Sequence, residues 1–313
     1  MHKESNIFVA GHKGLVGSSI VRKLKKTGYK NIITRNRNQL DLMDSSQVND
    51  FFKNNSIDYV FDAAARVGGI HANNHYSAEF IYENTLLQMN LMHYSNLYRI
   101  KKFIFLGSVC IYPKYAETPV KEDALLKGEL EPTNEAYAIS KIHGIHMLKA
   151  YNKQYGMKGV SLMPSNLYGP NDNYHPDNGH VIPSLIHKLH NQNDKVVCWG
   201  DGSPRREFLY VDDLAEACIF AADHYSNAEL INVGSGHDIS IKELVTLLVE
   251  IIEYKGEISW DNTKPNGTPK RPLDYSKIQS LGWQPKYSLR EGLKKSYEWY
   301  RNNIDLVRTK VAD

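Results

Sequence analysis

Cysteine is scarce in this sequence, with only Cys110, Cys198 and Cys218 spread along 313 residues. An odd number at such wide spacing argues against a disulfide framework and favours a reducing compartment, so we expect a cytoplasmic protein. No Cys-x-x-Cys pair and no cluster of histidines occurs, and we therefore expect no metal site.

Long apolar runs and blocks of one charge are missing as well. No run approaches the roughly 18 residues that a membrane span needs. The start, MHKESNIFVAGHKG, reaches a glycine too soon after its apolar stretch to be a signal peptide. The net charge is only +3, without a lysine- or arginine-rich block. We expect neither nucleic acid nor a membrane as a partner.

The first half of the chain alternates short apolar runs with helical patterns. The apolar runs that predict strands are residues 6–10, 31–34, 59–65, 103–107 and 159–164. The helical patterns that separate them are residues 15–28, 45–55, 78–99 and 135–155. This alternation predicts the α/β class, with a Rossmann-type, doubly wound parallel sheet covered on both faces.

The second half is less regular, and the length favours two domains or one large one. Its predicted helices are residues 181–191, 211–224, 240–254 and 288–301. Its short predicted strands include residues 195–199 and 230–234. Turn-rich segments at 171–179 and 261–272 are typical of ligand-side loops or linkers.

Gly11, Gly14 and Gly17 follow the first predicted strand directly and open the first predicted helix. Glycines at this place let the backbone turn tightly and approach a pyrophosphate at the positive end of the helix. The GxxGxxG spacing alone is a weak signal, but its position in a βαβ unit predicts a dinucleotide-binding loop. A glycine-rich turn without a ligand is the alternative.

The end of the second predicted strand distinguishes the two nicotinamide cofactors. It carries Arg35 and Arg37, with no acid before Asp41, and Lys13 in the loop adds a further positive charge. A free ribose 2′-hydroxyl usually meets an acid about 20 residues after the loop, whereas guanidinium groups suit a 2′-phosphate. We therefore predict NADP(H), the alternative being two solvated surface arginines.

The segment NEAYAISKIHG places Tyr137 and Lys141 on one face of a predicted helix. A phenol of pKa about 10 is a poor acid–base group at neutral pH unless a cation stabilises the phenolate. Lys141 can supply that charge and also hold the cofactor ribose. Ser108, in GSVCIYP after a predicted strand, could hydrogen-bond the same carbonyl oxygen. These residues predict reduction of a carbonyl group by hydride transfer.

Several motifs together resemble the extended short-chain dehydrogenase/reductases: GHKGLVG, GSVCIYP, YAISK, SNLYGP, NGHVIP and WGDGSPRREFLYVDD. Within that group the chain is most similar to the GDP-L-fucose synthase family, as RVGGIHANN, INVGSG and KPNGT indicate. The resemblance runs nearly end to end. It implies an NADPH-dependent enzyme that epimerises C3 and C5 of a GDP-linked 4-keto-6-deoxy sugar and then reduces C4.

Cys110 and His180 match the epimerisation pair of that family. A 4-keto group acidifies the protons on C3 and C5, so inversion needs a base and an acid. Cys110, one strand period beyond Ser108, could face the same cavity, and a thiolate near cations is a workable base. A histidine that titrates near neutrality is a suitable acid. The alternatives are a small buried hydrophobe at Cys110 and a capping or core histidine at His180.

The resemblance also implies binding residues for both ligands. Those expected for the cofactor are Gly11, His12, Lys13, Gly14, Leu15, Val16, Gly17, Arg35, Arg37, Asp41, Leu42, Ala64, Leu106, Gly107, Lys141, Pro164, Asn166, Leu167 and His180. Those expected for the nucleotide-sugar are Lys188, Trp199, Arg206 and Asn266. The family usually has serine at Val109 and aspartate at Asn266, and these departures admit a related GDP-linked sugar such as a heptose.

The expected domains are an NADP-binding unit of residues 1–166 plus about 207–228, and a smaller discontinuous α/β unit of about 167–206 plus 229–313 that binds the nucleotide-sugar. Family members are commonly dimers that pair two long helices per subunit, and residues 78–99 and 135–155 would suit that contact. We therefore expect a homodimer.

Two other functions remain open at this point. The chain could be a pure C4-reductase, with epimerisation performed by another enzyme. A non-catalytic NADP-binding scaffold is the other alternative, and the presence of Ser108, Tyr137 and Lys141 together argues against it.

Overall fold

The computed structural model describes residues 1–176, 179–263 and 272–307. The strands of this part are β1 (Asn6–Ala10), β2 (Asn31–Ile33), β3 (Tyr59–Asp62), β4 (Lys102–Leu106), β5 (Gly159–Pro164), β6 (Asn166–Tyr168), β7 (Lys195–Trp199), β8 (Arg205–Tyr210), β9 (Leu230–Val233), β10 (Asp238–Ser240) and β11 (Glu257–Asp261). The α-helices are α1 (Leu15–Lys26), α2 (Ser45–Asn54), α3 (Ile70–His75), α4 (Ser77–Leu97), α5 (Glu135–Tyr155), α6 (Val181–Asn191), α7 (Val211–His224), α8 (Ile241–Ile252), α9 (Ser276–Ser280) and α10 (Leu289–Asn302).

The large sheet has the strand order β2-β1-β3-β4-β5-β9. Every neighbouring pair in it is parallel. The chain reverses its winding direction at β1, so a crevice opens beyond the carboxyl ends of β1 and β3, where ligands bind in sheets of this kind. The predicted α/β class and the Rossmann-type sheet are confirmed.

The sheet is covered on both faces because successive residues of its strands point to opposite sides. Ile7 and Val9 of β1 pack into a core with α1 and α7. Phe8 and Ala10 pack into a second core with α2, α4 and α5. Burial on both sides explains why these strands are continuous apolar runs rather than alternating ones.

The smaller part of the protein has a third core, around α6, α8 and α10. It contains a three-stranded sheet of order β10-β8-β6 and a parallel pair of β7 and β11. β9 belongs to the large sheet and β8 to the small one, which differs from the expected division near residues 207 and 229. The reason is that the chain crosses between the two parts more than once, and the domain limits stay a prediction.

Within the described ranges, no helix is long and apolar enough to cross a membrane. The same ranges contain no group of three histidine, cysteine, aspartate or glutamate side chains that could hold a metal ion.

Candidate active site

The glycine loop lies between β1 and α1, against the chain that leaves β3. Gly11 has φ +71°, and a Cβ there would lie 2.5 Å from the carbonyl oxygen of Ala63. A Cβ on Gly17 would collide with the carbonyl group of Gly11. Gly14 donates its N–H to Gly11 O at 2.9 Å and caps the start of α1. The tight turn leaves the helix terminus open to a pyrophosphate, so these residues fit a dinucleotide.

The cations expected to meet the 2′-phosphate lie in the loops after two neighbouring strands, Lys13 after β1 and the arginines after β2. β2 ends at Ile33, so Arg35 and Arg37 lie in the loop that follows it. The Arg35 guanidinium carbon lies 5.7 Å from the Phe51 ring centroid, which orients the side chain. Burial and the charge of Lys13 lower the pKa of His12, and a backbone contact with Arg35 opposes them. His12 thus contacts the Arg35 backbone as well as its chain neighbour Lys13, so the two loops lie side by side.

Ala64, Gly107 and Pro164 follow or end three adjacent strands, β3, β4 and β5, at the same edge of the sheet. Leu106 ends β4, and a Cβ on Gly107 would collide with the Met163 side chain. This edge continues the surface of the glycine loop, so it suits the rest of a dinucleotide.

The remaining expected cofactor residues have structural partners. Asp41 accepts a hydrogen bond from Met43 N at 3.0 Å, and Leu42 O accepts one from Asn90 Nδ2 at 2.9 Å. Asn166 Nδ2 donates to Glu207 O at 2.9 Å. Three further members of the set, Leu15, Val16 and Leu167, are partly buried.

Tyr137 and Lys141 lie on α5, one turn apart. Lys141 is 3% exposed, and its Nζ donates to Leu106 O at 2.9 Å. That Nζ lies 5.8 Å from the Tyr137 ring centroid. Burial lowers the pKa of Lys141, and the negative charges of Asp62 and Cys110 partly offset this.

The Tyr137 phenol differs from the sequence-based expectation. Burial, with a smaller contribution from Cys110, raises its pKa far above the ordinary value. In the protein alone the pKa of this phenol therefore does not fall toward neutral pH, because burial disfavours the charged phenolate. Tyr137 is therefore a protonated group, suited to donate a proton.

Ser108 and Cys110 are joined by a tight turn and not by a strand. β4 ends at Leu106, and Val109–Ile111 form a 3-10 helix whose cap is Ser108, with Cys110 N donating to Ser108 Oγ at 3.4 Å. The prediction that Cys110 faces the same side as Ser108 because it follows by one strand period was therefore wrong in its reason. Cys110 is nevertheless buried and within electrostatic range of both Tyr137 and Lys141. The turn thus leaves the thiol near Tyr137 and Lys141, and its part in epimerisation stays a prediction.

His180 lies immediately before α6, with its side chain 47% exposed. Its Nδ1 is 3.7 Å from Oδ1 of Asp172, a buried carboxylate. Burial pulls the pKa of His180 down, but Asp172 more than offsets it, so the pKa is raised above its ordinary value. Sequence reasoning missed Asp172, although it stands in the same turn-rich segment. The joint action of His180 with Cys110 stays a prediction.

The structure brings two of the expected nucleotide-sugar residues together. Lys188 Nζ on α6 lies 6.0 Å from the ring centroid of Trp199, which ends β7. Arg206 stands on β8, opposite Ile239 of β10, and its Nη1 donates to Arg205 O at 2.8 Å. Asn266 lies outside the described residues. A cation beside an exposed aromatic face suits a nucleotide diphosphate, with the base stacked on the ring.

The NAD dependent epimerase/dehydratase family matches residues 7–234. GDP-L-fucose synthase 1 of Arabidopsis thaliana is 52% identical over 306 residues, which cover 96% of this chain and 95% of that protein. GDP-L-fucose synthase of Escherichia coli K12 is 46% identical over 318 residues, with 97% and 99% covered. Among solved structures, a GDP-mannoheptose C4 reductase from Campylobacter jejuni with NADP bound is similar at 37% identity and a TM-score of 0.87, covering 96% of this chain and 99% of that one.

Proposed function

Because the chain belongs to the NAD dependent epimerase/dehydratase family, and within it to the GDP-L-fucose synthases, we propose that it converts a GDP-linked 4-keto-6-deoxy sugar. It inverts C3 and C5 and reduces the C4 ketone with NADPH. The observation that carries this proposal is the buried Lys141, with Tyr137 one helix turn away and the buried Cys110 thiol within electrostatic range of both.

In the reduction, Tyr137 donates its proton to the C4 carbonyl oxygen, since its raised pKa keeps the phenol protonated at neutral pH. The Ser108 hydroxyl donates a hydrogen bond to the same oxygen. Lys141, anchored on Leu106 O, stabilises the phenolate that remains and holds the cofactor ribose. NADPH, when bound, supplies the hydride that reaches C4, so that the ketone becomes a secondary alcohol.

In the epimerisation, the Cys110 thiolate removes the proton from C3 or C5. The Lys141 ammonium favours this thiolate because the two groups interact electrostatically. Tyr137 and Ser108 hydrogen-bond the enolate oxygen that forms. His180, whose pKa is raised by the Asp172 carboxylate, returns a proton to the opposite face.

NADPH is expected to be preferred over NADH by on the order of a hundredfold in affinity, because a lost charged hydrogen bond costs about 1.5–3 kcal/mol. Replacing Arg35 and Arg37 together with Ser should remove most of this preference. Arg22→Ser is the matched control, since Arg22 pairs with Asp212 instead. Titration of both cofactors by protein fluorescence measures the ratio. Equal binding of NADPH and NADH by the wild type would overturn the assignment of these cations.

The test of the function is incubation with NADPH and GDP-4-keto-6-deoxymannose, followed by NMR assignment of the product. The expected product is reduced at C4 and inverted at C3 and C5. A product reduced at C4 with C3 and C5 unchanged would contradict the epimerase half alone. Failure to reduce any GDP-linked 4-keto sugar would contradict the whole proposal.

A second candidate is a pure C4-reductase of a GDP-linked heptose. The observation that favours it is the similarity to a GDP-mannoheptose C4 reductase over nearly the whole chain. Identity to the GDP-L-fucose synthases is higher, at 46% and 52% against 37%, so the bifunctional reaction is preferred. The heptose analogue of the keto sugar belongs in the same assay.

The Asp172–His180 pair predicts the pH dependence of the epimerisation. Because Asp172 raises the pKa of His180, the acid form persists to higher pH and is lost as the pH rises through that value. In Asp172→Asn, we expect the alkaline limb of the proton-exchange rate to move down by about one pH unit, the usual effect of losing one nearby opposite charge. Rates of exchange at C3 and C5 across pH measure this. An unmoved limb would contradict the pairing, and Asp194→Asn, a distant acid, is the control.

The proposal includes a cytoplasmic homodimer that pairs α4 and α5 of each subunit. These helices pack against each other and leave large apolar side chains exposed, among them Tyr82, which is 65% exposed, and Ile139. Exposed apolar side chains on two packed helices favour a four-helix contact. Tyr82→Glu with Ile139→Glu should yield monomers by light scattering, while Leu306→Glu, an exposed apolar residue elsewhere, should not. A wild-type monomer would contradict the homodimer.

A further inference from the structure

One buried acid at the carboxyl end of β3 has no part in the reaction as proposed so far. Asp62 is 1% exposed. Within the described residues neither of its carboxylate oxygens has a well-formed hydrogen bond, although the Ala64 N–H lies near enough to favour the ionised form. Burying a carboxylate without partners costs several kcal/mol, unless an opposite charge compensates it.

The register of the sheet places this carboxylate beneath Lys141. Asp62 of β3 is the partner of Phe105 on β4, and partners in neighbouring strands point to the same face about 4.8 Å apart. Lys141 Nζ lies 5.0 Å from the Phe105 ring centroid, and it is bonded to the carbonyl oxygen of the next residue, Leu106. Asp62 and Lys141 therefore share one dry face of the sheet, under α5.

The titratable groups that meet there come from three elements. Asp62 ends β3, Cys110 lies in the turn after β4, and Lys141 and Tyr137 lie on α5. α4, which packs against α5, buries the uncharged amides Asn84 and Gln88. The arginine that Asn84 holds, Arg66, is already paired with Glu83 of α4. Lys141 is thus the cation of the group, and Asp62 is the acid that the proposed chemistry leaves without a role.

We propose that Asp62 is a positioning residue of the reductase, a buried counter-ion that keeps the Lys141 ammonium charged and fixed beside the Tyr137 phenol. The inference rests on the roles of Tyr137 and Lys141 in the proposed function. It adds a residue that never touches the sugar or the cofactor and that acts only through Lys141.

The electrostatics agree in sign with this role. Burial lowers the pKa of Lys141, and Asp62 contributes most to opposing that change. Burial raises the pKa of Asp62 itself to about 6, although the positive charge of Lys141 lowers that pKa. Above that pH the carboxylate is ionised and supports the ammonium. Without it, Lys141 loses its proton at a lower pH, and the phenolate formed in the reaction loses its stabilising cation.

The experiment measures ketone reduction by the full-length protein with NADPH and the GDP-linked 4-keto sugar, as a function of pH. In Asp62→Asn, the alkaline limb of kcat should move down by about one pH unit, and kcat near pH 8 should fall about tenfold. The KM for the sugar should stay within about twofold. Asp62→Leu should have the same effect on the pH limb. It serves as the second variant in case Asp62→Asn does not fold, because an apolar replacement of a buried charge is often well tolerated.

Asp213→Asn is the matched control. Asp213 is another buried acid, held by the backbone N–H groups of Lys286 and Tyr287, on the α7 side of the sheet. Its loss should lower the thermal stability without moving the pH limb. Asp62 variants that fold and keep the wild-type limb, or that change only the melting temperature, would overturn the inference. Should Tyr137→Phe still reduce the ketone, the proposed function itself would fail instead.

Discussion

Tyr137→Phe is expected to abolish reduction of the C4 ketone, by a hundredfold or more, while NADPH still binds. General acid catalysis by one positioned group is worth roughly 10²–10⁴-fold, and the phenol is the proton donor that the buried site provides. The phenyl ring should keep its edge contact with Phe80, whose ring centroid lies 6.1 Å away. Single-turnover oxidation of NADPH, followed by absorbance, measures the rate, and fluorescence titration measures the binding.

Two further variants distinguish a loss of catalysis from a loss of folded structure. Lys141→Ala should weaken both turnover and NADPH binding, because its ammonium serves the phenol and the ribose. Tyr300→Phe removes the hydroxyl of another buried tyrosine, one that contacts His187 and Asn191 in the smaller part, and should leave turnover nearly unchanged. Near wild-type turnover of Tyr137→Phe on a confirmed substrate would contradict the catalytic assignment.

The sequence predicted the elements that carry strong local signals. The bounds of α5, α6 and α7 agree with the predicted ones, and α5 ends at Gly156, which has φ +72°. The three-residue strands β6 and β10 were missed, because so short a run shows no periodicity and its pairing partner is distant. β11 and the short helices α3 and α9 were missed for similar reasons.

The site residues also divide into those that could be predicted from local sequence and those that could not. Tyr137 and Lys141 could be predicted because the spacing within one helix fixes their common face. β4 was predicted within one residue at each end, but the two-residue strand period was carried past it to Cys110, which lies in a 3-10 turn that has no such period. Asp62 was missed because only tertiary packing brings Lys141 near it, whereas Asp172 was missed because a turn-rich segment has no periodicity that predicts which of its side chains meet.

Cys110→Ser is expected to stop proton exchange at C3 and C5 while ketone reduction continues within a few-fold of the wild-type rate. A serine hydroxyl does not ionise near pH 7, whereas a thiol of pKa about 8.5 can be lowered into range by a neighbouring cation such as Lys141. The reductive residues Ser108, Tyr137 and Lys141 are unchanged. The measurement is deuterium incorporation into the 4-keto sugar in deuterated water, by NMR and without NADPH, where the variant should lose a hundredfold or more.

His180→Asn should differ from Cys110→Ser, because the base survives and only the return of a proton to the opposite face is lost. Some exchange should therefore continue with little inversion, and product analysis after reduction separates the two effects. Cys198→Ser, at a buried thiol on β7, is the matched control and should exchange normally. If the wild type reduces the ketone but exchanges no proton, Cys110 is only a packing residue, and the protein is a C4-reductase that depends on another enzyme for inversion.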